Sequence, residues 1–318
     1  MEKYIFGIDL GGTAVKIGLF NTEGEKKHAF EIPTQLADSG SSILNDITAA
    51  IEKEIAEQEV SPDDVIGIGI GVPGPVLSDG TVNKCINLGW DVFNIEERLS
   101  ALTGYNVKAG NDADFAALGE CWKGGGKGYK DMFMVTIGTG VGGGLIIDGK
   151  ILPGSTGASG ELGHCTVEFD EKTPCACGKR GCLEQYASAR GGANLAKKYL
   201  AEYGGPTVLR ELNETMEGGI TSKELYDAAR EGDDFALEIT EQIADYLGRC
   251  ISYVANTVNP QAFVIGGGMS KAGNILVDAI TRNYRKYAFH ACDRADIRLA
   301  TLGNDAGMYG AVKAVLDS

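Results

Sequence analysis

The chain has 318 residues, of which 43% are hydrophobic and 23% are charged, and it carries a formal net charge of -15 at pH 7. This length predicts two domains of ordinary size, and the composition is that of a soluble globular protein. The strongly negative charge argues against nucleic acid and anionic membranes as main partners, because both require clustered cations to neutralise phosphate.

The N-terminus enters a predicted strand at once, without a basic stretch followed by a long apolar run. No run of apolar residues is long enough to span a bilayer. Eight cysteines in a chain with no secretion signal indicate a reducing compartment. We therefore predict a cytoplasmic protein that contacts no membrane.

The first predicted motif is a hairpin with a glycine-rich tip. Residues 4–9 and 14–20 are apolar strands, and Gly11, Gly12 and Thr13 connect them. Glycines allow backbone N–H groups to approach an anion, and the Thr13 hydroxyl adds a donor. A Gly-Gly pair also makes ordinary hairpin turns, so this motif alone leaves both interpretations open.

Next come a helix and a buried strand. Residues 41–58 carry isoleucine and leucine at helical spacing and predict an amphipathic helix over a sheet. Residues 65–70 predict a strand that runs into the turn 71–75, which contains Gly74. In open α/β sheets, ligands bind at the carboxyl ends of such strands.

Asn87 follows in a loop, where it has the residue type of a plain turn. Asn94 is expected to cap a helix that extends to about Thr103. Residues 107–109 then predict another strand.

Asn111 and Asp112 stand at the next strand-to-helix junction, before a helix predicted over residues 115–121. The Asp112 carboxylate would face a ligand at the helix N-terminus. The same position suits a helix N-cap, a role that Asn111 or Asp114 could equally fill.

The segment 123–128 is rich in glycine and is the most flexible-looking connection of the chain. We place the domain boundary just before it. The predicted domains are an N-terminal lobe of residues 1–120, which the C-terminal helix at about 304–318 joins, and a C-terminal lobe of residues 121–303.

The second lobe begins by repeating the first. Residues 132–137 predict a strand, the turn 138–144 contains Gly138, Thr139 and Gly140, and a further strand follows at 145–148. Two such hairpins predict an internally duplicated fold with a phosphate clamp, and the repeat favours the phosphate-binding interpretation of both turns.

Residues 161–184 contain a possible metal site. His164, Cys175, Cys177 and Cys182 form the Cys3His set that closes a tetrahedral structural Zn²⁺ site. The alternative is a surface loop with ordinary reduced cysteines and a polar histidine. Three cysteines in eight residues, with glycines that let the chain turn back, favour the metal.

Two carboxylates, Glu161 and Glu184, flank this zinc loop, as we call residues 161–184. They are not obvious zinc ligands. Charged acceptors hydrogen-bond several hydroxyl groups at once, so a stiffened loop that carries them suits a polyol.

Three helices are predicted at residues 187–203, 222–230 and 234–256, followed by a buried strand at 261–265. The strand ends in a third glycine-rich turn, which contains Gly267 and Gly268. This turn would admit the base and ribose of a nucleotide, or would simply start the next helix. A strand at 297–302 and a helix at 306–316 complete the chain.

The order of these motifs and their residues resemble those of the ROK family of sugar kinases and repressors, and within it the glucokinases. The resemblance covers nearly the whole chain, and residues 175–184 are its most specific part. It implies an α/β fold of the actin-like, hexokinase type. Each of two lobes would have a mixed β-sheet flanked by helices, with sugar and ATP in the cleft between them.

The resemblance also implies a role for individual residues. Asp112 is the expected general base toward the sugar 6-hydroxyl, and it joins a set of sugar ligands: Gly74, Asn87, Asn111, Glu161, His164 and Glu184. ATP with Mg²⁺ would be bound by residues of the three glycine-rich turns and two neighbours: Asp9, Gly11, Gly12, Thr13, Lys16, Gly138, Thr139, Gly140, Gly267 and Gly268. Zinc would bind His164, Cys175, Cys177 and Cys182.

The implied activity is ATP-dependent phosphorylation of glucose by a homodimer or homotetramer. The alternatives are a kinase for N-acetylmannosamine, mannose or fructose, and a sugar-sensing repressor without catalysis. Repressors of the family carry a DNA-binding domain ahead of the first phosphate turn, whereas eight residues precede Asp9 here. Asp114 departs from the asparagine that glucokinases often have there, which concerns specificity and local charge beside Asp112.

Overall fold

The structure, a computed structural model, describes residues 2–318. The chain divides into two compact units. The first comprises Met1–Lys130, Gly144–Gly160 and Leu302–Ser318, and the second comprises Asp131–Gly143 and Glu161–Thr301. The lobe boundaries expected from the sequence stay a prediction, which limited proteolysis would test.

The first sheet has five strands: β1 (Tyr4–Leu10), β2 (Ala14–Asn21), β3 (Lys26–Pro33), β4 (Val65–Val72) and β7 (Val107–Asn111). Their order is β3-β2-β1-β4-β7. β1, β2 and β3 pair antiparallel, whereas β4 lies parallel to both β1 and β7. The carboxyl ends of β1, β4 and β7 therefore meet at one edge. Two short strands, β5 (Thr81–Val82) and β6 (Phe93–Asn94), pair separately.

Five helical segments belong to the first unit: α1 (Ala37–Gly40), α2 (Ile43–Glu57), α3 (Ile95–Thr103), α4 (Asp112–Lys123) and α11 (Ala306–Leu316). Helix α11 packs closely on the sheet where the strands carry glycine. A Cβ atom on Gly7 would lie 2.4 Å from the Met308 carbonyl oxygen, and one on Gly69 would lie 2.0 Å from that of Ala311. These glycines therefore permit the helix to approach β1 and β4.

The second sheet consists of β8 (Met132–Ile137), β9 (Val141–Ile147), β10 (Lys150–Ile151), β11 (Ala262–Gly266) and β12 (Asp296–Leu299). Its order is β10-β9-β8-β11-β12. In both sheets the sequence order of the strands across the sheet is third, second, first, fourth and fifth. The hypothesis of internal duplication agrees with this repeated topology.

Six helices follow in the second unit: α5 (Glu184–Ala187), α6 (Ala189–Leu200), α7 (Leu209–Thr215), α8 (Ser222–Arg230), α9 (Asp234–Val258) and α10 (Asn274–Tyr287). The long helix α9 packs against α8 and α10. At one contact, a Cβ atom on Gly248 would lie 2.6 Å from the backbone nitrogen of Tyr284.

Two predictions from the sequence were wrong in detail. The turn predicted over residues 138–144 ends earlier, because β9 begins at Val141 and its glycines continue the strand. The helix predicted over residues 187–203 is shorter, because α6 begins at Ala189 and ends at Leu200, and Ala187 is the last residue of the separate helix α5. The Ser188 hydroxyl caps α6 by accepting a hydrogen bond from the Gly191 N–H at 2.9 Å.

Strands β3, β5, β6 and β10 and helices α1 and α7 have no counterpart among the predicted elements, whereas α10 follows the third glycine-rich turn, where the start of a helix was one of two interpretations. Within residues 2–318, the helices are all too short or too polar to cross a bilayer.

Candidate active site and metal centre

Asn111 and Asp112 lie where β7 becomes α4, and their roles in the helix differ. The Asn111 side chain is the N-cap, because its Oδ1 accepts hydrogen bonds from the N–H groups of Ala113 and Asp114 at 2.9 and 3.2 Å. Asp112 is the first helical residue. Of the three capping candidates, Asn111 is therefore the cap, and the helix does not need the Asp112 carboxylate for that role.

Asn111 also connects two strand ends. Its Nδ2 donates to the Gly74 carbonyl at 3.1 Å, and β4 and β7 pair in parallel as far as Val72 and Asn111. The structure thus brings together Gly74, Asn111 and Asp112 at the carboxyl edge of the first sheet, where ligands bind in open α/β sheets.

Asn87 is exposed in the 3-10 turn Ile86–Leu88, within a loop anchored beside Gly74. The Cys85 thiol donates to the Pro73 carbonyl at 3.0 Å, and a Cβ atom on Gly74 would lie 3.5 Å from the Cys85 Sγ. Asn87 is therefore carried by a segment that is bound to the end of β4.

The first glycine-rich turn follows β1. Its Gly11 N–H donates to the Ala14 carbonyl at 3.0 Å, and the Thr34 hydroxyl donates to the Gly11 carbonyl at 2.7 Å. A Cβ atom on Gly12 would meet nothing within 4 Å, so the space beside Gly12 is open to a ligand. The structure places Thr13 in the same turn, immediately before β2.

Asp9 and Lys16 face each other across the β1–β2 pair, with Asp9 Oδ2 and Lys16 Nζ separated by 3.5 Å. Burial raises the pKa of the Asp9 carboxyl, and the charge of Lys16 opposes that rise only in part. Asp9 is thus a partly buried carboxylate at the strand end with one cation beside it, a setting that a divalent metal ion would stabilise.

In the second unit, the turn of Gly138, Thr139 and Gly140 is closed by a hydrogen bond from the Gly138 N–H to the Gly140 carbonyl at 2.9 Å. Glu184 lies against this turn and accepts from the Val141 N–H at 3.1 Å. A Cβ atom on Gly140 would lie only 2.2 Å from Glu184 Oε2, so a side chain there would displace this carboxylate from the turn. The structure therefore joins the second glycine-rich turn to Glu184, the last residue of the segment 161–184.

His164, Cys175, Cys177 and Cys182 converge, and one ligand atom from each lies within 4.8 Å of all the others. The Cys177 and Cys182 sulfurs are 3.7 Å apart, and Cys175 Sγ lies 3.9 Å from His164 Nδ1. A tetrahedral zinc ion with bonds of ~2.3 Å to sulfur and ~2.0 Å to nitrogen requires a sulfur–sulfur separation of about 3.8 Å and a sulfur–nitrogen separation of about 3.5 Å. The four residues therefore fit zinc in number, chemistry and spacing.

The cluster of one histidine and three cysteines is half buried. Cys175 and Cys182 are buried, whereas His164 and Cys177 are exposed. Burial raises the pKa of the Cys182 thiol to about 12, and the Lys179 N–H lowers the pKa of Cys177. A bound metal would displace the Cys182 proton, since only thiolates are metal ligands.

The two flanking carboxylates are placed differently around the cluster. Glu161 Oε2 lies 3.8 Å from His164 Nε2, the nitrogen opposite the one that faces Cys175. Glu184 Oε1 lies 3.9 Å from Cys175 Sγ. Glu161 and Glu184 thus each lie beside a member of the cluster, and a bound metal would stiffen the loop that holds them and His164.

A cavity of about 940 Å³ in the second unit has Thr139 and Gly268 in its wall. The remaining wall includes Arg190, Asn194 and Lys197 of α6 and Tyr226 of α8. Its volume suits a nucleotide-sized ligand. The structure thus brings the second and third glycine-rich turns to one cavity, and Gly267 immediately precedes Gly268.

Sequence reasoning missed the helical residues of this cavity wall, which follow no phosphate-binding motif. The Gly218-Gly219 pair, at a break between α7 and α8, is the signal that could have indicated a ligand-lining loop. A second cavity of about 560 Å³ shares Thr139 and Arg190 with the first, and Gly140 and Glu184 also line it.

The sequence profile of the ROK family matches residues 5–318. The chain belongs to the ROK family. It is 42% identical over 311 residues to a glucokinase from Halalkalibacterium halodurans, with 97% of this chain and 94% of the relative covered.

The structure resembles a ROK family glucokinase from Streptomyces griseus in complex with glucose and AMPPNP. The TM-score is 0.76, the identity is 33%, and 98% of each chain is covered. It also resembles a ROK family transcriptional regulator, a homologue of the Escherichia coli MLC protein. That TM-score is 0.86 at 27% identity, with 99% of this chain and 78% of the regulator covered. The predicted fold class, mixed sheets flanked by helices in an actin-like ATPase fold, is confirmed.

Proposed function

We propose that this chain is an ATP-dependent glucokinase, which transfers the γ-phosphoryl group of MgATP to the 6-hydroxyl of glucose. The observation that carries the proposal is the similarity over nearly the whole chain to glucokinases, one of them bound to glucose and AMPPNP. The position of Asp112 supports it, because its carboxylate stands at a strand end while Asn111 caps the helix.

Asp112 acts as the general base. Its carboxylate accepts the proton of the sugar 6-hydroxyl as the oxygen attacks the γ-phosphorus of ATP, and the bond to the bridging oxygen of ADP breaks. A positioned base contributes roughly 10² to 10⁴ in rate. The remaining acceleration comes from alignment and neutralisation of charge, since phosphoryl transfer requires little covalent chemistry from the protein.

The sugar hydroxyls are held by six residues in addition to the base: Gly74, Asn87, Asn111, Glu161, His164 and Glu184. Glu161 and Glu184 are acceptors, which gives charge-assisted hydrogen bonds to hydroxyl groups. Zinc on His164 and the three cysteines is architectural, because four protein ligands leave no position for a substrate.

The phosphates lie against Gly11, Gly12 and Thr13 and against Gly138, Thr139 and Gly140, and the adenosine occupies the cavity beside Gly267 and Gly268. When bound, Mg²⁺ neutralises charge on the transferred group. Asp9 is the residue that would hold it, and Lys16 beside it adds a cation. The enzyme is proposed to be a cytoplasmic homodimer or homotetramer, which light scattering after gel filtration would test.

A coupled assay of sugar-dependent ADP release from MgATP tests the proposal. Glucose, mannose, N-acetylmannosamine and fructose are compared, with Asp112→Asn as the control. Fast turnover of glucose that collapses in the variant is the expected result. Faster turnover of another hexose would leave a sugar kinase of different specificity.

Turnover of none of these sugars would contradict the proposal. It would favour the second candidate, a sugar-sensing regulator, which the similarity to the MLC homologue supports.

A further inference from the structure

Three consecutive residues of α1 have left-handed backbone conformation. The φ angles are 49° for Asp38, 56° for Ser39 and 66° for Gly40. Residues other than glycine rarely adopt this conformation, and two in succession persist only where the surrounding structure holds them. Such conformations are enriched at functional sites, so the residues that this turn contacts indicate which part of the site it supports.

The left-handed turn packs against the segment that follows Asn87. A Cβ atom on Gly40 would lie 2.8 Å from the Leu88 carbonyl oxygen and 2.9 Å from Trp90 Nε1. The Trp90 indole N–H donates to the Gly40 carbonyl at 3.2 Å in a buried hydrogen bond. Contact this close leaves no room for a side chain at position 40.

The contact is reciprocal. Gly89 also has a positive φ, 72°, and a Cβ atom there would lie 3.0 Å from the Cα of Ser39. Two backbones thus approach each other at glycines from both sides. The turn and the loop therefore form one rigid contact rather than two independent surface segments.

Asn87 sits on the tip of a closed loop. Cys85 and Trp90 exchange two backbone hydrogen bonds, both of 3.0 Å, which bring the ends of residues 86–89 together. One side of this loop is anchored by the Cys85 thiol on the Pro73 carbonyl. The Trp90 side is anchored by the left-handed turn, so the direction of Asn87 depends on both anchors.

We infer that the left-handed turn Asp38–Gly40 is a positioning element that sets sugar affinity by fixing the Asn87 loop, with Gly40 as its positioning residue. The inference rests on the proposed sugar role of Asn87. The turn needs no contact with the sugar, because displacement of a ligand-binding group by ~1 Å is enough to weaken its hydrogen bonds.

Gly40→Ala is the test, and Gly104→Ala is the matched control. Gly104 has a φ of 78°, so alanine carries the same backbone cost there, but a Cβ atom would meet nothing within 4 Å. The dissociation constant for glucose is measured by titration calorimetry, which does not depend on turnover. The same two substitutions are made in the Asn87→Ala background, and thermal melting checks that each variant is folded.

Gly40→Ala is expected to weaken glucose binding by about tenfold or more, with the affinity for ATP unchanged. Gly104→Ala should change the dissociation constant for glucose less than about twofold. Gly40→Ala should have an equally small effect in the Asn87→Ala background, because the loop then has no side chain that binds the sugar. Equal effects of Gly40→Ala in both backgrounds, or effects equal to those of Gly104→Ala, would overturn the positioning role.

If Gly40→Ala fails to fold, Trp90→Phe replaces it, because it removes the hydrogen bond to Gly40 without adding a clash. It should weaken glucose binding by about three- to fivefold, and only while Asn87 is present. Wild-type protein that binds no hexose would contradict the proposed function itself. Wild-type binding with equal effects in both backgrounds would contradict the positioning role alone.

Discussion

Asp112→Asn should separate catalysis from stability. The substitution preserves shape and removes the base, so kcat should fall by roughly 10² to 10⁴. That range corresponds to about 2.7 to 5.4 kcal/mol in the activation barrier. The free energy of unfolding should fall only slightly. The amide introduced by the substitution keeps an oxygen that can accept a hydrogen bond from the Ala113 N–H, as Asp112 Oδ1 does at 2.9 Å.

The expected stability cost of Asp112→Asn is about 0.3 to 1 kcal/mol, the value of a negative charge at a helix N-terminus. Asn111→Ala is the contrasting variant. It removes the cap of α4, worth about 0.5 to 2 kcal/mol, and the hydrogen bond to the Gly74 carbonyl, worth about 0.5 to 1.5 kcal/mol. Its total cost is therefore roughly 1 to 3.5 kcal/mol.

Urea unfolding and the coupled kinase assay, run on both variants, measure the two quantities. Asp112→Asn should be the more stable and the less active protein by far. A variant that keeps more than about a tenth of wild-type kcat would refute the assignment of the base. A loss of stability equal to that of Asn111→Ala would refute the assignment of Asn111 as the cap.

Three further outcomes are expected. Cys177→Ala should contain no zinc when measured by elemental analysis, and it should bind glucose more weakly than the wild type. Cys292→Ala, which lies outside the cluster, should change neither property. Unchanged glucose affinity in a protein that has lost zinc would count against an architectural metal. Burial raises the pKa of Asp9 above 3.8, so the free energy of unfolding falls as the pH rises from the unfolded-state pKa through the folded-state pKa. Without ligand at pH 7, Asp9→Asn should therefore melt at a higher temperature than the wild type, yet it should use MgATP poorly. A lower melting temperature would refute this prediction. The fully buried Glu120 accepts hydrogen bonds from two backbone N–H groups at 2.7 and 2.8 Å, so Glu120→Ala should cost about 3 kcal/mol in urea unfolding. The exposed Glu97, in the first turn of α3, is the control, and Glu97→Ala should cost less than about 1 kcal/mol. Equal costs would contradict this prediction.

Local signals predicted much of the fold. The hairpins β1–β2 and β8–β9, the Asn94 cap and helix α8 follow from apolar alternation, capping residues and turn glycines. For α3, the Asn94 side chain accepts from the Glu97 N–H as its position predicts. The cysteine spacing likewise predicted a group of four ligands that the fold brings together.

Other features depend on contacts distant in sequence. Strand β3 is largely exposed and rich in lysine, so its pairing with β2 decides its conformation. The three glycines that follow Val141 in β9 have the composition of a turn, but sheet pairing overrides that local preference. Around α4, Asn111, Asp112 and Asp114 all have capping side chains, and only the geometry distinguishes the cap from the proposed base.

The left-handed turn and the cavity wall were beyond prediction for the same reason. Asp38 and Ser39 have no local motif that demands a positive φ, and packing against Gly89 and Trp90 holds them there. Arg190 and Lys197 lie on an ordinary amphipathic helix, so their exposure to the large cavity follows from tertiary packing alone.

The most direct measurement of the central proposal is the position of the phosphoryl group on the product. Purified protein is incubated with MgATP and glucose, and the product is analysed by phosphorus NMR with proton coupling. Glucose 6-phosphate, formed together with equimolar ADP and formed at least about a hundredfold more slowly by Asp112→Asn, is the predicted result. Phosphate on the anomeric oxygen, or ADP released without any sugar phosphate, would contradict it.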